Sequence, residues 1–390
     1  MTSTITAGSS KITPSAKKPR IVVLAKYYFP YNGGIENATR VFCEGLARTY
    51  DVKVIAFNHQ PGFVSETVHG IAIERHSVQG TLKSQPLSIS YFWAALRSRA
   101  NITHYHAPNV VASLALALRP PRRLIVVHHM DIYGRPQLRR VARHLYDAVL
   151  RRSKLLVVTS LKNARVSADI RVDVPTRAVP LGIDPNSYKV DEALRAEASA
   201  WRRELAGNNP LIGFVGRHVR YKGLDVLLKA MVHLPDAHLA VAGDGPQNAL
   251  LRGQAAALGL TDRVHFLGEV SHRDKLKLLT AITAFAFPST EITEAFGISQ
   301  LEAMLLGAPV VASDLPTGVS DVSRNDETAL TVPPDDPSAL AVALRLLLEN
   351  HSLRERLADK AKAEVLKHFT VTEMTRRFNN LNDEVLNDSL

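Results

Sequence analysis

Short apolar runs alternate with stretches of helical periodicity along almost the whole chain, and this alternation is the strongest constraint on its fold. The runs 21–25 and 211–215 are continuously apolar, which is typical of strands buried in a parallel sheet. Helical stretches such as 138–150 lie between such runs. Strands that alternate with helices predict a doubly wound α/β fold, in which ligands bind beyond the carboxyl ends of the strands.

The chain is too long to form a single compact core. Its 390 residues exceed the ~250–300 residues at which one hydrophobic core stops growing, so two domains are expected. A polar helical stretch at 191–205 precedes Gly-Asn-Asn-Pro at 207–210, which indicates a domain boundary. We predict domains over 20–200 and 201–370, after a Ser-, Thr- and Lys-rich tail over 1–19 that is expected to be disordered.

Positive charge is concentrated in the first half of the chain. Residues 1–190 carry 27 Lys and Arg against 10 Asp and Glu, whereas residues 191–390 carry 21 against 27. The basic half could meet anionic lipid headgroups, a lipid diphosphate or nucleic acid, or could present an ordinary solvated face. Nucleic acid is the least favoured partner, because no aromatic-interleaved basic platform or recognition motif accompanies the charge.

The sequence predicts a cytoplasmic protein without a membrane span. Its apolar segments all fall short of the ~20 residues that a spanning helix needs. The first residues lack the apolar centre of a secretion signal. A single cysteine, Cys43, excludes an internal disulfide and fits a reducing compartment.

Two carboxylates, Glu294 and Glu302, flank a predicted helix start. An apolar run ends at Pro288, and helical periodicity begins after Gly297, so Glu294 is expected on the loop and Glu302 inside the helix. Amides at a helix N-terminus attract phosphate and sugar oxygens, and each carboxylate can accept hydrogen bonds from vicinal hydroxyls of a hexose or a ribose. The alternative is that Glu294 caps the helix and Glu302 is one exposed carboxylate among many.

Arg217 and Lys222 lie at a second predicted strand-to-helix junction, in the string Gly-Arg-His-Val-Arg-Tyr-Lys-Gly at 216–223. Arg binds phosphate oxygens bidentately and Lys acts as a point charge, so the pair can clamp a diphosphate and stabilise the charge of a leaving nucleotide. The alternative, two surface cations, is disfavoured because the helix dipole repels cations at this end unless an anion lies between.

A glycine pair, Gly33 and Gly34, separates the first predicted strand from the first predicted helix. Such a junction suits anion binding, although most glycine pairs only form turns. The string lacks the Gly-x-Gly-x-x-Gly pattern of dinucleotide-binding enzymes, and this absence disfavours a dehydrogenase.

These motifs together resemble those of retaining family-4 glycosyltransferases. The matching strings are Lys-Tyr-Tyr-Phe-Pro-Tyr-Asn-Gly-Gly-Ile-Glu at 26–36, Gly-Arg-x-x-x-x-Lys-Gly at 216–223, and Glu-Ala-Phe-Gly-Ile-x-x-Leu-Glu-Ala-Met at 294–304, followed by Gly-Ala-Pro-Val-Val-Ala-Ser at 307–313. The resemblance implies the GT-B fold, in which two Rossmann-like domains face each other across a cleft. It also implies a last helix over 371–390 that crosses back to the N-terminal domain.

The resemblance implies a role for each residue of the predicted site. Glu294 would hold the donor sugar, Glu302 the ribose, and Arg217 and Lys222 the diphosphate; His129 would join Glu294, Arg217 and Lys222 as catalytic residues. The complete donor-binding set that it implies is Gly33, Gly34, His128, Arg217, Lys222, Val270, Glu294, Phe296, Gly297, Ile298 and Glu302.

Four histidines fall at two predicted strand ends, His104 and His106 on one and His128 and His129 on the other. A zinc site there is disfavoured, because neither a cysteine nor a His-Glu-x-x-His motif accompanies them. In the family that the chain resembles, a strand-end histidine followed by Asp contacts the donor sugar. Asp131 follows both histidines. The pattern His-x-Asp would select His129 and the pattern His-x-x-Asp would select His128, so the sequence leaves this choice open.

The resemblance implies transfer of a hexose with retention of anomeric configuration. The sequence contains no Asp-x-Asp pair for a metal-bound diphosphate, so neither a metal nor another cofactor is expected. The loops resemble those of bacterial exopolysaccharide and O-antigen mannosyltransferases, which implies GDP-mannose; UDP-glucose or UDP-N-acetylglucosamine would change no motif. The implied acceptor is a glycan or a lipid-linked saccharide, bound while the basic domain rests on the cytoplasmic face of the inner membrane.

Two other functions are compatible with these motifs. A nucleotide-sugar epimerase or hydrolase would use the same fold and the same diphosphate clamp. A non-catalytic glycan-binding protein would keep the fold alone, and the joint presence of Arg217, Lys222, Glu294 and Glu302 speaks against it.

Overall fold

The computed structural model describes residues 18–31, 33–82, 85–132 and 136–389 of the chain. Residues 1–17 of the tail predicted over 1–19 lie outside the described residues. Within the described residues the strands form two large sheets and one small hairpin.

The first sheet is built from strands of the N-terminal half. The strands of this half are β1 (Arg20–Leu24), β2 (Asp51–Phe57), β3 (Val64–Val68), β4 (Ile71–His76), the hairpin strands β5 (Gly80–Leu82) and β6 (Gln85–Leu87), β7 (Ile102–Ala107), β8 (Leu124–His128), β9 (Leu155–Val158) and β10 (Thr176–Ala178). The sheet has the order β10-β9-β8-β7-β1-β2-β4-β3. All its neighbouring strands run parallel except β3, which pairs antiparallel with β4.

The second sheet is parallel throughout. Its strands are β11 (Leu211–Val215), β12 (His238–Ala242), β13 (Val264–Gly268), β14 (Ala284–Phe287), β15 (Val310–Ser313) and β16 (Leu330–Val332). The order β13-β12-β11-β14-β15-β16 is the 3-2-1-4-5-6 order of a Rossmann sheet. Strands such as β14 and β15 are buried along their whole length, as their continuously apolar runs predict.

Helices cover both faces of both sheets. They are α1 (Gly34–Leu46), α2 (Ile89–Arg97), α3 (Val110–Leu118), α4 (Pro136–Leu150), α5 (Leu161–Val166), α6 (Glu192–Ala206), α7 (Leu224–Val232), α8 (Asn248–Ala257), α9 (His272–Ala281), α10 (Ile298–Leu305), α11 (Val319–Val322), α12 (Pro337–Glu349), α13 (His351–His368) and α14 (Val371–Leu386), with short 3₁₀ helices at Pro185–Tyr188 and Arg220–Lys222. Each sheet therefore has an apolar core on each face, and the predicted pair of doubly wound α/β domains is confirmed.

In each sheet the chain adds strands first on one side of the first strand and then on its other side. In the first sheet β1 lies between β2 and β7, and in the second β11 lies between β12 and β14. Connections leave such a strand pair on opposite faces, which opens a crevice at the carboxyl ends where ligands bind. The predicted site motifs fall at these two crevices, because Gly33 follows β1, Lys222 follows β11 and Glu294 follows β14.

Helix α14 packs on the first sheet, although it follows the last strand of the second. Phe378 of α14 contacts Phe42 of α1 with ring centroids 4.7 Å apart, and His104 Nε2 lies 2.8 Å from Asn382 Oδ1. The buried His104 and Asn382 therefore fix this helix by a polar contact inside an apolar core.

Strand β3 and the β5–β6 hairpin were not predicted. Seven of these positions are exposed, namely Val64, Ser65, Thr67, Gly80, Thr81, Leu82 and Leu87, so no continuous apolar run marks them. No helix among the described residues combines the length and apolar content needed to cross a membrane.

Candidate active site

An ion pair joins the two strand ends at the crevice of the second sheet. Lys222 Nζ lies 2.5 Å from Glu294 Oε2, and Ser289 Oγ donates a hydrogen bond of 2.9 Å to the same oxygen. Glu294 is 6% exposed. Among the described residues nothing bonds to Glu294 Oε1, so this oxygen can accept hydrogen bonds from a ligand.

The charged form of Lys222 is favoured despite its burial. Burial alone lowers the pKa of Lys222, but the charge of Glu294 and their hydrogen bond raise it, and the net shift is upward. A buried charge of this kind is stable only with its partner, so Lys222 and Glu294 must be treated as a unit.

Two glycines in the left-handed region shape this crevice. Gly223 has φ +67, and a Cβ there would lie 1.9 Å from Pro288 O. Gly297 has φ +78, and a Cβ there would lie 2.3 Å from the Phe287 ring. Both positions need glycine for conformation and for space, and both place a helix start beside the Lys222–Glu294 pair.

The start of α10 offers unpaired backbone donors. In the described part of the chain no acceptor lies against the N–H groups of Phe296, Gly297 or Ile298. Arg217 is exposed and has no ion pair with any residue that the structure describes. These donors and this guanidinium are the groups that could bind an anion beside the Lys222–Glu294 pair.

Glu302 is held in the same way as Glu294. Its Oε1 atom accepts hydrogen bonds from Tyr188 Oη at 2.5 Å and from Lys275 Nζ at 2.6 Å. Its Oε2 atom has no partner within the described ranges of the chain. Each carboxylate thus has one oxygen fixed by a lysine and a hydroxyl and one oxygen available. Val270, a further predicted site residue, is half-buried and packs against the core that contains Phe287.

His129 belongs to a buried polar chain at the first sheet. Its Nε2 atom lies 2.9 Å from His106 Nδ1, and His106 Nδ1 lies 3.0 Å from Thr39 Oγ1. Burial lowers the pKa of His129 to about 3, with a further contribution from His128. Burial also lowers the pKa of His106, helped by His129 and His104. These imidazoles are therefore neutral at physiological pH.

His128 points to the other face of the sheet. Its Nδ1 atom lies 2.9 Å from Tyr146 Oη, and its Nε2 atom lies 3.4 Å from Asp131 Oδ1. Although burial raises the pKa of Asp131, hydrogen bonds from His128, Ser167 and Ala168 lower it to about 2. Both ring nitrogens of His128 thus have protein partners, which leaves His129 as the histidine better placed to meet a ligand.

Gly33 and Gly34 begin α1 beside these histidines. Gly33 is the N-cap in an extended conformation, and a Cβ there would meet Glu36 Oε2 at 2.1 Å. Gly34 has open space around it. Burial raises the pKa of Glu36, against smaller effects of a backbone hydrogen bond and of Lys26. A carboxylate held over a glycine turn can accept hydrogen bonds from hydroxyls.

Comparison with known proteins identifies the family. The family description "Glycosyltransferase Family 4" matches residues 32–187, and "Glycosyl transferases group 1" matches residues 196–364. The D-rhamnosyltransferase WbpZ of Pseudomonas aeruginosa is 34% identical over 343 residues, which cover 87% of this chain and 88% of that protein. The chain belongs to glycosyltransferase family 4.

A further relative and two solved structures of other proteins also resemble this glycosyltransferase. O-antigen chain mannosyltransferase C of Escherichia coli is 27% identical over 372 residues, covering 93% of this chain and 97% of the relative. Sucrose-phosphate synthase from Thermosynechococcus elongatus has a TM-score of 0.78 at 22% identity, over 95% of this chain and 100% of that one. Anabaena HepE in complex with UDP and glucose has a TM-score of 0.74 at 22% identity, over 94% and 100%. The predicted GT-B fold is therefore confirmed.

Several residues of the site escaped the sequence analysis. Tyr188, Lys275 and Ser289 hold the two carboxylates, and Thr39 holds the histidine chain through His106. None of them stands in a recognisable string with its partner. Among the described residues no cluster of His, Cys, Asp and Glu has the arrangement of a metal site.

Proposed function

We propose that this glycosyltransferase transfers a hexose from a nucleotide sugar to a glycan or lipid-linked acceptor, with retention of anomeric configuration, in polysaccharide or glycolipid synthesis. The observation that carries the proposal is the 2.5 Å pair of Lys222 and Glu294, which lies beside unpaired amides at the start of α10. This arrangement places a fixed cation, free N–H donors and a free carboxylate oxygen at one crevice, as binding a sugar diphosphate requires.

The two cations would act on the leaving group. Arg217, exposed and unpaired among the described residues, would bind the diphosphate bidentately, and Lys222 would supply a charge fixed by Glu294. Negative charge grows on the phosphate oxygen as its bond to the sugar breaks, so both interactions strengthen in the transition state. We propose that these side chains replace a metal ion and that no cofactor is needed.

The two carboxylates would hold the two sugars of the donor. Glu294 Oε1 would accept hydrogen bonds from hydroxyls of the hexose, and Glu302 Oε2 would accept them from the ribose. Each contact uses the oxygen that no described residue bonds to. Hydrogen bonds to a charged acceptor are worth roughly twice those between neutral groups, which favours tight binding of the donor.

The acceptor's proton would leave with the phosphate. The C1–oxygen bond breaks with its electron pair on the diphosphate, the acceptor oxygen bonds to C1 on the same face, and the acceptor proton passes to a diphosphate oxygen. His129 is a poor base for this proton, because its pKa is lowered to about 3. We therefore assign His129 to a hydrogen bond with the donor sugar rather than to proton transfer.

The relatives suggest the donor. They include a D-rhamnosyltransferase and a mannosyltransferase, and D-rhamnose is mannose without its 6-hydroxyl. We propose GDP-mannose as the first donor to test, with GDP-D-rhamnose and UDP-glucose beside it.

A face of the first domain would contact the membrane. Helix α2 packs on α3, and α3 packs on α4; their exposed apolar residues include Ile89, Trp93, Leu118 and Val141. Exposed arginines of the same helices and their ends include Arg97, Arg119, Arg122 and Arg140. The Arg97 guanidinium lies over the Trp93 ring, 4.9 Å from its centroid, and exposed apolar side chains beside arginines fit an anionic bilayer surface. We propose that the enzyme acts at the cytoplasmic face of the inner membrane.

Release of GDP or UDP from a panel of nucleotide sugars tests the proposal. The panel contains GDP-mannose, GDP-D-rhamnose and UDP-glucose, with and without a membrane lipid extract as the source of acceptor. We expect release from one donor that requires the extract, that is lost in Lys222→Ala and Glu294→Gln, and that persists in Lys229→Ala, an exposed lysine of α7. Release without any acceptor would favour a hydrolase, and bound but intact donor in every mixture would contradict the proposal.

A further inference from the structure

The first domain is hydrogen-bonded to the loop that carries Glu294. Asn163, on α5, donates from Nδ2 to Ala295 O at 2.9 Å. Its Oδ1 atom accepts from the Gly318 amide at 2.9 Å. Because a carbonyl can only accept and an amide N–H can only donate, this pair of partners also fixes which end of the Asn163 side chain is which.

The two partners of Asn163 are already joined within the second domain. Gly318 N donates to Ala295 O at 3.0 Å, and Thr317 Oγ1 donates to Glu294 O at 2.8 Å. Asn163 therefore completes a small network whose other members set the backbone at Glu294. The approach is close, since a Cβ on Gly318 would lie 2.7 Å from Ala295 O and 3.3 Å from Ser160 Cβ.

The first domain also orients the Asn163 amide itself. Asn163 Nδ2 donates to Thr159 Oγ1 at 2.6 Å, and Thr159 directly follows β9. The amide thus uses both hydrogens of its NH₂ group and one acceptor oxygen, with one partner in its own domain and two in the other. Because both N–H groups and the carbonyl oxygen of this side chain are hydrogen-bonded, it couples the position of the first domain to that of a loop in the second.

A second set of contacts between the domains does not reach this loop. Ser160 Oγ lies 2.5 Å from Asp321 Oδ2, and Lys162 Nζ lies 3.0 Å from Asp321 Oδ1 and 2.8 Å from Ser320 Oγ. These contacts are made to Ser320 and Asp321 of α11, and none of them is made to a residue of the Glu294–Gly297 loop. Lys162 and Asp321 are also partly exposed, with 41% and 35% of their side-chain surfaces accessible, and exposed ion pairs of this kind contribute little.

We propose that Asn163 is a positioning residue of the donor site, through which contact between the two domains places the Glu294–Gly297 loop in its productive geometry. The proposal rests on the proposed role of Glu294 in holding the donor sugar. Asn163 itself touches neither the donor nor the reacting atoms. It acts through the Ala295 carbonyl and the Gly318 amide, and it can do so only when the two domains are in contact.

The structure provides a matched pair of variants. Asn163→Ala removes the hydrogen bonds to Ala295 and Gly318, whereas Lys162→Ala removes a neighbouring contact between the same domains that includes no atom of the Glu294 loop. If Asn163 only helps to hold the domains together, the two variants will behave alike. Asn163→Asp provides a further variant of the same size, because its carboxylate can accept from Gly318 but cannot donate to Ala295.

Hydrogen–deuterium exchange of the complete chain tests the proposal without any substrate. We expect the hydrogen-bonded amides within residues 293–301, such as those of Glu294 and Gln300, to exchange at least fivefold faster in Asn163→Ala than in the wild type, and to exchange at the wild-type rate in Lys162→Ala. Equal exchange of this segment in wild type and Asn163→Ala, or equal acceleration in both variants, would overturn the proposal. If Asn163→Ala fails to fold, Asn163→Asp carries the same comparison.

Turnover provides an independent measurement. With GDP-mannose as the probe, we expect kcat of Asn163→Ala to fall at least tenfold while the affinity for GDP, which lacks the sugar, stays within twofold; Lys162→Ala should keep kcat within about threefold, since exposed ion pairs are weak. Wild-type kcat in Asn163→Ala would overturn the proposal. Glu294→Gln distinguishes a failure of the proposed function from a failure of the Asn163 proposal. Wild-type turnover in that variant contradicts the proposed function, while the exchange comparison remains a test of Asn163 alone.

Discussion

Lys222 Nζ lies 2.5 Å from Glu294 Oε2 across the crevice between β11 and β14. The pair joins the strand-to-helix loops of two neighbouring parallel strands, and the lysine keeps its charge through the carboxylate although burial opposes it. A diphosphate bound at this crevice, as we propose, would meet a cation whose position is fixed before binding, which is the form of electrostatic preorganisation that accelerates group transfer.

Removal of the Lys222 charge should slow the chemical step. We expect kcat for donor consumption to fall about 10²- to 10³-fold in Lys222→Ala, as is typical when one group that stabilises developing charge is lost. The Glu294 carboxylate would also be left buried without its cation. Steady-state kinetics, with circular dichroism to verify folding, checks this expectation; a kcat within threefold of the wild type would rule out the role of Lys222.

Glu302 should control donor affinity rather than turnover. Its Oε1 atom is held by Tyr188 and Lys275, so Glu302→Gln loses a charged acceptor and Tyr188→Phe loses only one orienting hydroxyl. A hydrogen bond to a charged group is worth about 1.5–3 kcal/mol, so we expect KM for the donor to rise about 10- to 100-fold in Glu302→Gln.

The Tyr188→Phe variant should show a smaller effect of about 2- to 10-fold on KM, because a single hydrogen bond contributes about 0.5–1.5 kcal/mol. In both variants kcat should stay within about threefold of the wild type, since the ribose lies away from the breaking bond. A large loss of kcat with unchanged KM would place Glu302 at the reacting centre instead.

Gly297 can be tested against a glycine with the same backbone conformation. Gly297 has φ +78, and a Cβ added there would lie 2.3 Å from the Phe287 ring, whereas Gly307 has φ +80 and nothing within 4 Å of such an atom. Gly307→Ala should be destabilised only by the strain of the left-handed conformation, about 1–2 kcal/mol, and should retain activity. Gly297→Ala should lose more stability and lose donor turnover; equal thermal midpoints for the two variants would contradict the steric reason.

Stability should fall in weak acid because of the buried histidines. Burial lowers the pKa of His104 to about 4 and that of His129 to about 3, and His106 is lowered as well. Below the unfolded-state pKa near 6.5 the unfolded chain therefore binds protons that the native protein does not. By linkage, stability is complete above pH 6.5 and is lost as the pH falls from there toward the folded-state values.

Each such histidine contributes a slope of up to about 1.4 kcal/mol per pH unit. Urea unfolding at pH 7.5, 6.5 and 5.5 measures the effect, and His104→Gln should reduce the slope below pH 6.5. His104 serves this test because its Nε2 atom bonds to Asn382 of α14 rather than to the proposed site. A slope that is the same in His104→Gln and wild type would contradict the assignment.

Membrane attachment should depend on both charge and apolar contact. We expect binding to vesicles containing phosphatidylglycerol to weaken steeply between low and physiological salt, because exposed charges are screened within about 8–10 Å. Trp93→Ser combined with Leu118→Ser should weaken binding further at either salt concentration. Val342→Ser, an equally exposed apolar residue on α12, is the control; binding that ignores salt, or that responds equally to the control, would contradict the proposed face.

Much of the fold and of the site follows from local sequence. Continuous apolar runs predict the buried strands β1, β8 and β11, and the alternation with helices predicts the two doubly wound domains. The predicted strand-to-helix loops place Arg217, Lys222 and Glu294 at the carboxyl ends of parallel strands, which is where ligands bind in such sheets. These features depend on periodicity and on residues close together in the chain.

Contacts between distant segments could not be predicted in this way. Tyr188 and Glu302 are 114 positions apart, and Asn163 and Ala295 are 132 positions apart; no local pattern links either pair. The choice between His128 and His129 depends on which face of the sheet each side chain takes. Adjacent residues of an extended segment point to opposite faces, and the structure was needed to show that His129 joins His106 while His128 joins Tyr146.

The configuration at the anomeric carbon of the product is the most direct test of retaining hexosyl transfer. The product formed from GDP-mannose, in which mannose is α-linked to the diphosphate, would be isolated and its anomeric configuration assigned by the one-bond carbon–proton coupling in NMR. We expect an α-mannoside, formed on the face that the diphosphate leaves. A β-mannoside would contradict same-face transfer and the assignment of the acceptor proton to the departing diphosphate.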